Sequence, residues 1–109
     1  MCRAIKVLCV ATDAEALSRL KRAVVAAEWE LCSGATSERD ALGQIDAERP
    51  HVLVAFGANE RLVTRARERF PGMRIVVDRN LPGSTAVTAS LEDVRDVVRS
   101  TMPPGGPVR

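Results

Sequence analysis

The feature that most constrains the fold is an alternation of apolar runs of strand length with segments whose apolar residues recur at helical spacing. The runs occupy 5–10, 29–37, 51–56 and 73–78, and 11–28 is the first of the segments with helical spacing. Strands that alternate with helices form parallel βαβ units with right-handed crossovers. The sequence therefore predicts an α/β domain built on a parallel sheet.

Capping residues and proline mark the ends of the predicted helices. Short polar side chains at a helix start accept hydrogen bonds from backbone N–H groups of the first turn. Pro50 follows the second helical segment and disfavours helical backbone in the residue before it. The predicted caps are Thr12 with Glu15, Ser37 with Asp40, Asn59, and Ser90 with Asp93, which precedes the last helical segment within 91–102.

The connection from the fourth strand to a short fifth strand around Val87 is unusually brief. Residues 79–86 are all that remain for it, and they include Pro82 and Gly83. An average helix needs about 11 residues before its loops are added. We therefore expect the fourth helix of the alternation to be shortened or missing.

The expected architecture is a three-layer sandwich whose five parallel strands have the order 2-1-3-4-5, with the first strand central. Ligands of such sheets lie beyond the carboxyl ends of the strands where the order reverses, here strands one and three. The residues at these ends are Ala11, Thr12, Asp13, Phe56 and Gly57. We predict one domain over residues 1–102 and a flexible tail over residues 103–109, which contain proline and glycine.

Charge and hydropathy argue against several classes of function. A formal net charge of +2 is too small to predict nucleic acid as an obligatory partner. Arg61 and Arg65 share a helical face with Glu68, and this mixture of charge favours a solvated surface. No apolar run reaches the length that crosses a membrane and the amino terminus carries no signal segment, so we expect no membrane contact and a cytoplasmic location.

Nucleophilic side chains do not form a catalytic pattern. Cys2, Cys9 and Cys32 contain no C-x-x-C pair, and the last two lie within predicted strands, which favours buried thiols. Neither begins a phosphate-binding loop, as a cysteine phosphatase using Arg39 would require. His51 begins the third strand, and we interpret it as a surface or edge residue. The sequence predicts no enzyme activity, no metal and no cofactor.

Three segments resemble the receiver domain of bacterial response regulators. They are KVLCVATDAEALSRLKRAV, WELCSGATSERDALGQIDAERPHVLVAFG and ERLVTRARERFPGMRIVV, which follow the order of strands and helices of that family over residues 5–78. Residues 87–101 match it more loosely. The resemblance implies a flavodoxin-like fold and a role in two-component signalling. It also implies a phosphoacceptor Asp closing the third strand and an acidic pair after the first strand that holds Mg²⁺.

The functional positions of that family are replaced in this sequence. A phenyl ring can neither attack phosphorus nor bind a hard cation, which takes oxygen ligands. The sequence is therefore similar to a pseudoreceiver. The degenerate positions are Phe56 at the phosphoacceptor, Ala11 and Thr12 at the acidic pair, Asp78 at the place of a Thr or Ser, and Val87 near the place of a Lys.

The preferred hypothesis is a phosphorylation-independent regulatory module that forms a homodimer or docks on a protein partner. A missing fourth helix exposes apolar surface beside an edge strand, and such surface attracts partners. The residues expected to form this interaction surface are Leu81, Val87, Val94 and Val98.

Two other hypotheses remain open. A small-molecule or nucleotide sensor would contact its ligand through Thr12, Asp13, Phe56 and Gly57, with an anion at the helix amino termini. Phosphorylation could instead occur at Asp13 or Asp78. For Asp13, a carboxylate that stabilises the start of a helix is the simpler interpretation.

Overall fold

The computed structural model describes residues 5–27, 29–57, 59–88 and 90–101. The strands form one parallel sheet of order β2-β1-β3-β4-β5, which confirms the predicted fold class and strand order. The predicted tail, residues 103–109, and Cys2 lie outside the described residues. The strands are β1 (Ile5–Val10), β2 (Trp29–Leu31), β3 (Val52–Ala55), β4 (Arg74–Val77) and β5 (Ala86–Val87), and the helices are α1 (Ala14–Val24), α2 (Glu38–Glu48), α3 (Glu60–Arg69) and α4 (Val94–Ser100).

The sheet separates two apolar clusters, because successive side chains of a strand point to opposite faces. Leu8 and Val10 of β1 belong to the cluster under α2 and α3. Val7 and Cys9 of the same strand belong to the cluster under α1 and α4. Both clusters consist mainly of aliphatic side chains, as the scarcity of aromatic residues requires.

Polar caps begin three of the helices. The side chains of Ser37 and Asn59 each accept a backbone N–H bond three residues further on, at 3.2 Å, which confirms both predicted caps. The predicted Thr12 cap of α1 is wrong by one residue, because the Asp13 carboxylate accepts from the Ala16 N–H at 2.8 Å. A carboxylate at this position is also favoured by the helix dipole.

The last helix begins later than the sequence predicts. Ser90 does not cap it, because the Ser90 hydroxyl accepts the Glu92 N–H (3.1 Å) within the preceding turn. Helix α4 starts after Asp93, whose side chain makes no capping hydrogen bond. The helix consequently covers little more than half of the predicted segment 91–102.

The connection from β4 to β5 contains no helix. Residues 79–85, here called the strap, run through turns and bends and return directly to the sheet edge. This confirms the prediction that the helix expected between the fourth and fifth strands is missing; α4 is the helix that follows β5.

Trp29 joins the edge of the sheet to two helices. The indole is 6% exposed, and its Nε1–H donates to the Val24 carbonyl oxygen at 2.9 Å. The Arg99 guanidinium of α4 lies 5.8 Å from the ring centroid, within the range of a cation–π contact. None of the helices in the described ranges has the length and apolar character needed to cross a membrane.

Candidate functional site

The carboxyl ends of β1, β3 and β4 meet at one edge of the sheet, where the sequence placed the candidate site. Ala11 follows β1, Phe56 follows β3 and Asp78 follows β4. The Phe56 N–H donates to the Val10 carbonyl oxygen at 2.9 Å and so extends the ladder beyond the strand. Val87 is set apart on β5, where it pairs with the end of β4. The structure thus brings together most of the positions that the sequence analysis matched to a receiver's phosphorylation site.

Phe56 is held by apolar packing. Its half-buried side chain packs against the cluster under α1 and α4. The preceding strand, Val52–Ala55, is fully buried, so the ring emerges where the buried part of β3 ends. The end of the third strand therefore presents a phenyl ring with no group that can carry a phosphoryl group.

Gly57 turns the chain after β3 in a way that other residues would resist. Its φ is +77°, and a Cβ at this position would lie 2.5 Å from Thr12 Cγ2. Backbone of this kind is left-handed and costs other L-residues about 1–2 kcal/mol. Gly57, two residues after β3, is thereby in close contact with Thr12, the second residue after β1.

Asp78 fixes this turn by accepting the Gly57 N–H on Oδ2 at 3.0 Å. Its other oxygen, Oδ1, is shielded from solvent without a hydrogen bond, and the Arg79 Nη1 lies 3.7 Å from it as an ion pair. The sequence identified the position of Asp78 through the family resemblance but did not predict its bond to Gly57. In the sequence, only the presence of a glycine, Gly57, just after the third strand indicated that another segment approaches the backbone closely there.

Two clefts share a wall formed by Ala11, Thr12, Phe56 and Gly57. One, of about 240 Å³, faces the amino ends of α2 and α3 and is lined by polar residues that include Ser37 and Asn59. The other, of about 290 Å³, has a more apolar lining. Its other lining residues are Ala16, Arg19, Leu20, Asp78 and Leu91.

Of the four predicted ligand contacts, three line both clefts and one does not. Thr12, Phe56 and Gly57 line both, whereas Asp13 lines neither. The Asp13 carboxylate is occupied in capping α1. The structure therefore supports the interpretation of Asp13 as a helix-terminal carboxylate.

A single arginine organises the strap. Arg67 of α3 donates from Nε to the Gly83 carbonyl oxygen (2.8 Å) and from Nη2 to Thr85 Oγ1 (3.3 Å). Its Nη1 donates to the carbonyl oxygens of Pro71 (3.0 Å) and Met73 (3.3 Å). One guanidinium thus joins α3, the turn before β4 and the second half of the strap, in the connection where the sequence predicted a shortened or missing helix.

The predicted interaction surface needs correction. Val94 and Val98 are 0% exposed, because they form the face of α4 that packs on the sheet. Leu81 is half-buried against the cluster under α2 and α3. Val87 is 45% exposed, and Leu91, which the sequence analysis did not single out, is 39% exposed. The exposed apolar side chains of this region therefore belong to β5 and to the turn before α4.

The cysteines of the described residues are buried on opposite faces of the sheet. Cys9 belongs to the cluster under α1 and α4, and Cys32 to the other cluster. Burial raises the pKa of the Cys9 thiol to about 12, and burial also raises the pKa of Cys32. Thiols held neutral in this way are poor nucleophiles, which agrees with a structural role.

His51 is a structural link rather than an edge residue. Its Nδ1 accepts the Lys6 backbone N–H at 3.1 Å, and the His51 backbone N–H donates to the Lys6 carbonyl oxygen at 2.9 Å. The His51 carbonyl oxygen accepts from Arg74 at 3.0 Å. The half-buried imidazole therefore contacts β1, and the His51 backbone is hydrogen-bonded to both Lys6 of β1 and Arg74 of β4.

The arginine-rich helix α3 carries charge of both signs. Arg65 pairs with Glu38 at 3.4 Å and Arg69 pairs with Asp46, so α2 and α3 are linked by exposed ion pairs. This agrees with the predicted solvated face. Within the described part of the chain, no three His, Cys, Asp or Glu side chains are grouped so as to hold a metal ion.

Comparison with known proteins relates this geometry to a fold. No protein-family model and no curated protein matches the chain. Solved structures do match. The signal receiver domain of an HD domain-containing protein from Pseudomonas fluorescens Pf-5 has a TM-score of 0.76 at 13% identity, and the match covers 90% of this chain and 94% of that chain.

Two further receiver structures match equally well. A CheY-like response regulator receiver domain protein from Methanospirillum hungatei JF-1 has a TM-score of 0.74 at 16% identity, covering 90% of this chain and 93% of that chain. Chemotaxis protein CheY4 of Vibrio cholerae has a TM-score of 0.75 at 16% identity, covering 92% and 100%. The chain therefore has the receiver-like, flavodoxin-like fold that the sequence predicted.

Proposed function

We propose that this chain is a regulatory interaction module that has a receiver-like fold, works without phosphorylation, and associates with a second copy of itself. The observation that carries the proposal is Phe56, a half-buried phenyl ring at the carboxyl end of β3. In a receiver this end holds the phosphoacceptor. A phenyl ring packed against the core at this position leaves regulation to the surface of the domain.

The carboxylates near this edge already have structural partners. Asp13 accepts the Ala16 N–H at the start of α1, and Asp78 accepts the Gly57 N–H. The residues that follow β1 are Ala11 and Thr12, which offer no carboxylate. Mg²⁺ favours oxygen ligands, commonly carboxylates together with phosphates, so the donor set here is poor for it.

Phosphorylation is tested by incubating the protein with acetyl phosphate and Mg²⁺ and measuring its intact mass. We expect no change in mass. A gain of one phosphoryl group that disappears in Asp13→Asn or Asp78→Asn would refute the proposal and identify the acceptor.

Association is proposed to use β5 and the turn before α4. Val87 and Leu91 are large apolar side chains exposed by 45% and 39%, and both lie in this short segment. Within the described residues β5 is the last strand of the sheet, so its outer edge pairs with no further strand. An apolar edge of this kind favours pairing with an identical edge through a two-fold axis.

Sedimentation velocity over a range of concentrations tests this association. We expect a monomer–dimer equilibrium that Val87→Asp or Leu91→Asp shifts to the monomer. Val25→Asp is the matched control, because Val25 is 51% exposed at the far end of α1 and should not matter. A monomer at every concentration, or an equal effect of all three variants, would contradict the proposed surface.

A second candidate function is a small-molecule sensor that uses the more apolar cleft. The observation in its favour is that Phe56, Leu20 and Leu91 line a cleft of about 290 Å³ at the carboxyl edge of the sheet. Thermal denaturation with and without ATP, GTP or FMN tests it. Stabilisation that Phe56→Ala abolishes would favour the sensor over the association module.

A further inference from the structure

The strap replaces a helix without forming regular structure of its own. At its centre, the Ser84 N–H and hydroxyl both donate to the Leu81 carbonyl oxygen, at 3.2 and 2.8 Å. At its end, the Thr85 N–H donates to the Ile75 carbonyl oxygen at 2.7 Å. These bonds shape the strap and join it to β4. Its contacts with α3 are made through side chains of that helix.

Contact between the strap and α3 involves two residues one helical turn apart, Val63 and Arg67. A Cβ on Gly83 would lie 3.3 Å from Val63 Cγ1 and 3.8 Å from Arg67 Cγ, so the strap rests directly on this helix. Gly83 has a φ of +88°, which suits glycine. Leu81 packs against the same side of the core.

Thr85 couples the strap to the sheet through its hydroxyl. Its Oγ1 accepts the Ile75 N–H at 3.0 Å and an Arg67 N–H at 3.3 Å. Ile75 is fully buried, so its N–H depends on this acceptor. The position of β5, which begins at the next residue, is therefore tied to the same guanidinium that holds Gly83.

We infer that the strap and β5 form a unit that opens on its own, and that Arg67 is the positioning residue that keeps it closed. Opening breaks the bonds of Arg67 to Gly83 and Thr85 and uncovers Val63 and the buried face of Leu81. Strands β1, β3 and β4 keep their mutual pairing. Hydrogen bonds of a charged guanidinium are about twice as strong as neutral ones, so a single residue can control the unit.

Opening of the strap would also regulate the proposed self-association. The exposed edge strand β5 exists in its present position only while the strap is closed. That link rests on the proposed self-association, whereas opening of the strap does not. A partner or a modification that breaks the Arg67 bonds would remove the docking edge and leave the rest of the domain folded.

Hydrogen exchange followed by mass spectrometry tests the inference on the full chain. In Arg67→Ala we expect peptides spanning 81–88 to exchange at least about tenfold faster than in wild type, while peptides of β1 and β3 are unchanged. Arg67→Lys should resemble Arg67→Ala, because an ammonium cannot reach four acceptors in different directions. Arg65→Ala is the matched control, since Arg65 lies on the same helix and pairs with Glu38 at 3.4 Å.

Two outcomes would overturn the inference: unchanged exchange of 81–88 in Arg67→Ala, or equal acceleration throughout the sheet. Should Arg67→Ala not fold, Thr85→Val and Thr85→Ser provide the same contrast, because only serine keeps the hydroxyl acceptor. Wild-type exchange in low urea also decides the point: a strap that opens only with global unfolding contradicts the inference. Sedimentation of Val87→Asp and Leu91→Asp separates the proposals, since faster strap exchange in Arg67→Ala together with a dimer that neither of these substitutions weakens refutes the docking edge alone.

Discussion

Gly57 and Asp78 are joined across the end of the sheet, where the Gly57 N–H donates to Asp78 Oδ2 at 3.0 Å. The bond connects the turn after β3 to the residue after β4, so these two turns hold each other in place. The same turn after β3 meets Thr12 after β1. One carboxylate and one close contact thus hold the ends of three strands together.

Removing the Asp78 carboxylate should loosen this edge. We expect Asp78→Ala to lower the free energy of unfolding by about 1.5 kcal/mol, the lower end for hydrogen bonds to charged groups, since the side chain is partly exposed. Asp78→Asn keeps an oxygen acceptor and should lose less. Urea denaturation measures both. The control Asp96→Ala removes an exposed ion pair with Arg99 and should cost less than about 1 kcal/mol; equal losses in the two alanine variants would refute the assignment.

Adding a methyl group at Gly57 should be costly. We expect Gly57→Ala to destabilise the protein by about 2–3 kcal/mol, from left-handed backbone and from the 2.5 Å approach to Thr12 Cγ2. Thr12→Ser removes that methyl group, so the double variant should recover part of the loss. A thermal or urea double-mutant cycle checks the coupling, and strictly additive effects would show that the contact with Thr12 does not matter.

Stability should fall at alkaline pH partly through Cys9. Burial raises the pKa of this thiol from 9.0 to about 12, so the folded state keeps the proton that the unfolded state loses. The stabilisation is complete below pH 9, declines as the pH rises from 9 to 12, and changes by at most about 1.4 kcal/mol per pH unit. In Cys9→Ala, urea denaturation over this range should show a shallower decline; an identical slope would contradict the cause.

The corrected surface makes a direct prediction about two valines. Val98→Ala removes buried groups worth about 1.6 kcal/mol of transfer free energy and leaves a cavity, so we expect a loss of about 2 kcal/mol. Val87→Ala should change stability by less than about 0.5 kcal/mol. In sedimentation we expect the opposite order, with Val87→Ala weakening the dimer more than Val98→Ala. Similar stability losses for both would show that Val87 is buried in solution.

Local patterns predicted the larger elements because each pattern expresses one physical preference. Fully buried strands such as Val52–Ala55 are continuous apolar runs, and helices show apolar residues at helical spacing. The missing helix followed from chain length alone. The same periodicity placed Val94 and Val98 inward, and assigning them also to a docking surface was wrong because one face of a helix cannot serve both.

Features that depend on contacts between distant segments were not predictable. In the sequence, nothing distinguishes Arg67 from the other three arginines of α3. Its four acceptors lie in segments whose positions only the folded chain defines. Asp78 likewise reaches Gly57 across 21 positions of sequence. The resemblance to receivers predicted the end of the sheet where Asp78 and Gly57 meet. It did not predict their hydrogen bond, which depends on the folded arrangement of the chain.

The position of Trp29 gives the protein an internal optical probe. The indole is the only one in the chain, and it touches α1 through the Val24 carbonyl and α4 through Arg99. Its emission therefore reports on the docking of the last helix against the sheet. Detachment of that helix would wet the ring and shift its fluorescence to longer wavelength, so a spectrofluorometer can follow the carboxyl-terminal part of the domain without any label.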